Sequence, residues 1–227
     1  MRRQEFEMMD REETEQFLQE MSFGILGTIH PDGWPELTPL NFVYHKECLY
    51  FHGSVAGQKM KNIKADQRVT FAVAKEYAIV PSYFTDPELA CPATAFFKSV
   101  LIKGHAEILT DLTEKAEALS AFMRKLQPEG GYAPIDPEDP AYTGRIKSTS
   151  VVRITVHELS AKYKFGQNMK PSAYEKVTAG LNPLRTDYSC RVRVLVARLS
   201  VCESEAERRA NLNYPVRRTR KRFNLLQ

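Results

Sequence analysis

No apolar run in this chain approaches the ~18 residues that a membrane-crossing helix needs, which argues against a helical membrane protein and for a soluble one. The four cysteines, Cys48, Cys91, Cys190 and Cys202, never come as close as a Cys-x2-Cys spacing, and no secretory leader precedes them. Reduced thiols in a cytoplasm are therefore expected. The Gly-x4-Gly-Lys-Ser/Thr loop of nucleoside triphosphate enzymes, the dinucleotide fingerprint and the Gly-x-Ser-x-Gly elbow of serine hydrolases are all missing. Internal repeats and low-complexity blocks are missing too. Charge of one sign is scarce until the end: residues 186–227 hold ten Lys/Arg against four acids, leaving 22 against 24 for residues 1–185 within a net charge of +4.

What is present centres on Leu49–Ile63, where an apolar strand runs into small residues, then a lysine, then a helix. Leu49, Tyr50 and Phe51 read as a strand end, Gly53 and Gly57 as places where the backbone turns, and Gln58 onward as a helix with Met60 and Ile63 on one side. A helix start offers unpaired N–H groups and partial positive charge to an anion, and His52, Ser54 and Lys59 add side-chain donors near the same point. A cofactor carrying one phosphate fits that pattern.

Around this segment the text reads as strands joined by tight turns. Asp10–Glu13 is a capping box opening a helix through Met21. Phe23–Ile29 and Leu37–Tyr44 read as strands flanking the turn His30–Gly33, and Cys48–Phe51 follows the polar turn His45–Glu47. Arg68–Ala74, Ser99–Leu109 and Val151–Glu158 are further strands. A second capping box at Asp111–Glu114 predicts a helix that buries Leu112, Ala116, Leu119, Met123 and Leu126. Segments 77–97 and 128–146, rich in Pro, Gly and Asp, are expected to be irregular. The fold class expected is mainly β with flanking helices, a small antiparallel barrel.

Other polar residues sit inside apolar strands. Thr38 and Asn41 fall on opposite faces, so one can serve a ligand while the other meets solvent. Lys98 and Ser99 likewise point opposite ways; a lysine or backbone donor there could stabilise negative charge on a reduced flavin ring, or Lys98 could be a salt-bridged strand residue. A metal site is not expected: Cys48 and His52 share a strand face but lie about 13 Å apart along it. His30, His45, His105 and His157 look scattered. Cys91, in a small-residue loop, reads as a buried packing residue rather than a reactive thiol.

The motifs Met21–Gly24, Thr38–Phe42, Tyr50–Gly53 with Gly57 and Lys59, Ala90–Thr94, Lys98–Ile102, Gln127–Tyr132 and Lys162–Asn168 together carry a family resemblance. Residues 1–185 resemble the pyridoxamine 5'-phosphate oxidase-like, FMN-binding split-barrel proteins, and within them the nitroimidazole-resistance reductases. The resemblance implies a six-stranded split β-barrel, a homodimer, and FMN at the subunit interface with its phosphate near His52–Lys59. It also implies a flavin ring along Thr38–Phe42 and Lys98–Ile102, and a catalytic neighbour at His52, where nitroimidazole-type members carry a modified histidine. The cofactor-binding set expected is Thr38, Asn41, His52, Gly53, Ser54, Lys59, Lys98 and Ser99.

The function implied is FMN-dependent reduction of small oxidised substrates, 5-nitroimidazole-type compounds among them. The alternatives are a non-catalytic flavin or haem binding protein and a pyridoxamine phosphate oxidase-like oxidase, because one fold hosts all three. Residues 186–227 depart from the family. Their leading reading is a basic extension that need not pack, with Val192–Leu199 as a possible edge strand and Arg217–Arg222 as the alternative nucleic-acid contact.

Overall fold

The computed structural model describes residues 3–181. Within them the alternating apolar segments form eight strands: β1 (Glu7–Met8), β2 (Phe23–Ile29), β3 (Pro35–Asn41), β4 (Val43–His45), β5 (Cys48–Gly53), β6 (Arg68–Val80), β7 (Thr94–Ile108) and β8 (Ser150–Lys164). They make one antiparallel sheet in the order β3-β2-β6-β7-β8-β5-β4, with β1 added beside β8. Six longer strands carry the architecture, and β1 and β4 are short additions. The sheet curls into a split barrel without hydrogen-bonded closure between its end strands.

The interior is apolar because alternate residues of every long strand point the same way. Leu26, Phe71, Val73, Val100, Ile102, Val152 and Ile154 are buried in one cluster, with Phe17 and Leu18 of α1 (Arg11–Glu20) and Met60 and Ile63 of α2 (Gln58–Ala65) completing it. Both N-caps form, without the return bond of a full capping box. Asp10 accepts from the Glu13 N–H at 3.1 Å, and Asp111 from the Glu114 N–H at 2.7 Å, opening α1 and α3 (Leu112–Leu126).

Four expectations change. The run Leu37–Tyr44 breaks at Phe42, whose amide bonds the Ser22 carbonyl and whose buried ring meets Phe71 edge-on at 5.0 Å. Segment 77–97 is strand at both ends and irregular between them: β6 runs on to Val80 and β7 starts at Thr94, with Tyr77, Val80 and Phe96 buried in the core. Segment 128–146 enters a helix, α4 (Pro140–Ser148), with Asp139 as its cap and Pro140 at its start, where a missing N–H costs nothing. In α3 the buried stripe contains Lys115, Ala118, Ala121 and Phe122, while Leu126 is exposed. The helix is turned so that the Lys115 ammonium reaches the Ile146 and Thr149 carbonyls at 3.2 and 2.8 Å, capping the end of α4. The last described helix is α5 (Pro171–Leu181). Thr186–Gln227, including Val192–Leu199 and the basic cluster, lies outside the described residues.

Two details fix the barrel's ends. The β4–β5 turn places Lys46 and Glu47 at φ 48° and 62°, the twist a two-residue hairpin demands. Both residues are β-poor formers of that conformation, and ion pairs from Lys46 to Glu117 at 2.5 Å and from Glu47 to Arg11 hold it. At the other end α2 plugs the barrel through Asn62, which is fully buried and donates to Thr28 Oγ1 and Glu36 Oε2, each at 2.9 Å. Gln58 donates back to Asn62 at 2.9 Å. Removing that amide leaves buried acceptors without partners, so Asn62→Ala is expected to cost roughly 1–3 kcal/mol in urea unfolding with the slope unchanged.

Candidate functional site

Of the three side chains expected at the β5–α2 junction, Lys59 lies beside Gly53, Ser54 shapes the loop, and His52 turns away toward α3. The Lys59 ammonium lies 3.5 Å from where a Gly53 side chain would begin, and it makes no hydrogen bond or ion pair among the described residues. Gly53 pairs across the ladder with Ser150, a buried residue whose hydroxyl finds no hydrogen-bond partner among the described residues. Ser150 escaped the sequence reading because it lies about a hundred residues away; the only clue was its place at the opening of a strand. The α2 start has no side-chain cap, and the Gln58 and Lys59 amides have no partner among the described residues. Ser54 accepts from the Ala56 amide at 3.2 Å, shaping the loop before the helix.

The glycines work differently from the expectation. Gly53 and Gly57 are not in left-handed conformations; Gly57 is extended, at φ 179°. A side chain at Gly53 would begin in ordinary van der Waals contact with the end of Lys59, so the glycine marks how near the ammonium comes to β5.

His52 points the other way from Phe51. Its ring meets Phe122 of α3 edge-on, with centroids 4.7 Å apart, while part of it stays exposed. Burial by that contact disfavours the imidazolium and pushes the His52 pKa below its ordinary value.

The strand residues divide between faces, as their parity requires. Thr38 is half-buried on the face of β3 that also carries Glu36, which Asn62 holds one helical turn after Lys59. Asn41 is on the opposite, exposed face and donates to the Ser22 carbonyl at 3.0 Å. Ser99 shares that outward face. Lys98 does not: it is buried, 2.9 Å from Glu13 and 4.3 Å from the centre of the Tyr163 ring. A flavin contact from its side chain is therefore not what the geometry supports, because the charge is already paired inside the barrel, as in the salt-bridged alternative. Cys91 is exposed rather than buried.

The outward face of β3, β2, β6 and β7 is apolar. Pro39, Ile25, Ala72 and Leu101 stand in one register row, with Leu37 and Phe23 beside it at 69% and 52% exposed. Asn41 and Ser99 lie at the edge of this patch, three strand spacings or about 14 Å apart. A contiguous exposed apolar face of this kind marks an interaction surface.

Comparison with known proteins decides the family. The family model described as pyridoxamine 5'-phosphate oxidase matches residues 10–163. The chain belongs to the pyridoxamine 5'-phosphate oxidase family. Solved structures with the same fold include a candidate 5-nitroimidazole antibiotic resistance protein from Bacteroides thetaiotaomicron, at 19% identity and TM-score 0.56 over 69% of this chain and 85% of that one. The flavocytochrome Anf3 from Azotobacter vinelandii matches at 26% identity and TM-score 0.57 over 70% and 69%. An FAD and heme binding protein from Mycobacterium smegmatis matches at 18% identity and TM-score 0.58 over 77% and 80%. No curated protein matches. Membership in this family supports a flavin-binding, oxidoreductase-like protein, and no described helix is long and apolar enough to cross a membrane.

The contact of His52 with Phe122 is directly measurable. In an NMR titration the His52 ring is expected to titrate below the ordinary value of about 6.5, and Phe122→Ala to move it upward by re-exposing the ring. A His52 titration unaffected by Phe122→Ala would place the cause elsewhere.

Proposed function

We propose that this chain is an FMN-dependent reductase of small oxidised substrates, 5-nitroimidazole-type compounds being the substrate class to test first, and that it works as a homodimer. The observation that carries the reading is the unpaired cationic cradle at the β5–α2 junction. Lys59, the Ser150 hydroxyl and the opening amides of α2 are donors left without acceptors, around a glycine that leaves room. A monophosphate supplies the missing acceptors, and buried donors strongly favour being satisfied.

The residues present thus fit a flavin mononucleotide. Lys59, Ser54, Ser150 and the Gly53 gap would hold its phosphate, with Thr38 on the strand face that α2 closes. Asn41 and Ser99 would border its ring on the outward face. When bound, the flavin supplies the redox chemistry. The protein's part is to fix the ring, exclude water with the apolar strand face, and present a neutral His52. The outward patch of Ile25, Leu37 and Leu101 is then covered by a second copy, which also dries the ring's surroundings. Cytoplasmic location accords with free thiols at Cys48 and Cys91.

A second reading is a flavin or haem carrier without turnover; the 26% identity to a flavocytochrome supports its haem-binding part. A visible spectrum of the purified protein separates flavin bands from a haem Soret band.

Three outcomes test the proposal. Lys59→Ala should weaken FMN by ~1.5–3 kcal/mol, about one to two decades in dissociation constant, while leaving riboflavin nearly unaffected; equal losses for both would remove Lys59 from the phosphate. Leu37→Asp should lower both dimer mass and flavin content, as seen by light scattering and absorbance. Under anaerobic conditions the loaded protein should reduce a 5-nitroimidazole faster than free FMN, with His52→Ala slower. Turnover no faster than free FMN would favour the carrier.

A further inference from the structure

Two histidines that look scattered in the sequence meet in the fold. His105 of β7 and His157 of β8 lie with His105 Nδ1 2.8 Å from His157 Nε2 and ring centroids 4.4 Å apart at 71°. We propose that this pair is a bidentate site for a divalent transition metal that prefers tetragonal geometry, Cu(II) foremost.

The pairing is built by a bulge. The β7–β8 register slips between Lys103, opposite Glu158, and Gly104, opposite Val156, leaving His157 as the extra residue on its strand. Gly104 is required there. A side chain would begin 2.2 Å from the Thr155 carbonyl oxygen, so the strands could not approach closely enough to set the rings together.

Two imidazole nitrogens bound to one ion at ~2.0–2.1 Å stand about 2.9 Å apart at right angles and about 3.4 Å apart at a tetrahedral centre. The 2.8 Å here is a hydrogen-bond contact with the nitrogens facing each other, and both side chains are exposed, so small rotations can turn them toward a common ion. Cu(II) heads the affinity order for such ligands.

The surroundings tolerate a cation. Lys103 is paired with Glu158 at 3.0 Å and Arg68 with Asp66 at 2.6 Å, so the four charges beside the rings cancel in pairs. At their contact one ring nitrogen donates and the other accepts; to bind a metal the donating ring takes its other tautomer, its proton moving to the outer nitrogen, so that both facing nitrogens offer lone pairs. Both histidines line a cleft of about 530 Å³ whose other walls include Ile29 and Leu37. The ion's remaining positions face that cleft, open to water or a small anionic ligand.

This site does not depend on the flavin reading, and its test measures the metal alone. Chelator-treated full-length protein is titrated with CuCl2 against a competing chelator. The wild type should retain one equivalent of Cu(II), with nitrogen hyperfine structure from two imidazoles in its electron paramagnetic resonance spectrum. Loss of a residue that only hydrogen-bonds a metal-binding side chain already costs roughly 10–100-fold in metal affinity, so losing a ligand through His105→Ala or His157→Ala should weaken binding by at least about tenfold. His45→Ala, which leaves the pair intact, should change nothing. Because the chain's amino terminus is common to all variants, it cannot produce these differences. Equal Cu(II) retention by the wild type and the His105→Ala/His157→Ala double variant would overturn the proposal. So would loss of the two-imidazole signal on His45→Ala.

Discussion

Everything in this molecule hangs on the hydrogen-bonded ladder of β6, β7 and β8. These strands run 13, 15 and 15 residues, and their inward positions supply much of the core. Strands this long twist, and a twisted sheet of this length cannot stay in one register without local slips. The ladder takes two of them, at Glu76/Ala78 and at Lys103/Gly104. The first lets β6 continue into Tyr77 and Val80 with both side chains inward. The second bends the far end of β7 and β8 and places the two histidines together. Packing on one face thereby sets chemistry on the other.

Lys98, Lys115 and Lys125 all enter the protein's interior, and each has its charge answered. Lys98 finds Glu13 and the Tyr163 ring; Lys115 finds two carbonyls closing α4; Lys125 finds the Leu18, Met21 and Phe42 carbonyls and the Phe42 ring. A buried ammonium without partners would cost several kcal/mol, so the pairing is the condition of its burial. Lys59 stands apart from this group. It sits beside an unfilled glycine and an orphaned hydroxyl, with no acceptor among the described residues. That contrast, interior lysines satisfied and this one open, is what the proposed phosphate site rests on.

Asn62 ties that opening to the barrel. Its bonds to Thr28 and Glu36 fix the roll of α2, and the roll of α2 fixes where Lys59 points. Under the proposed function, stability and binding are coupled through that one amide, with α2 plugging the barrel on one side and donating hydrogen bonds to an anion on the other.

The sequence by itself determined the local elements. Alternation at Phe23–Ile29 and Cys48–Phe51, and the cap residues Asp10 and Asp111, specify structure through neighbours two to four positions away, and those elements stand as expected. The strand-to-helix junction from Gly53 to Lys59 was legible for the same reason, since strand, glycines, lysine and helix are consecutive. Strand parity also foretold that Thr38 and Asn41, and Lys98 and Ser99, would part to opposite faces. Which face was inside could not be read, because that depends on partners more than fifty residues distant. Only the tertiary structure assigned Lys98 to Glu13, turned α3 so that Lys115 rather than Leu126 is buried, brought Ser150 opposite Gly53, and set His105 against His157. Each of these is a contact between separate elements whose register is decided by bulges and by core packing. Neither leaves a periodic mark in the chain.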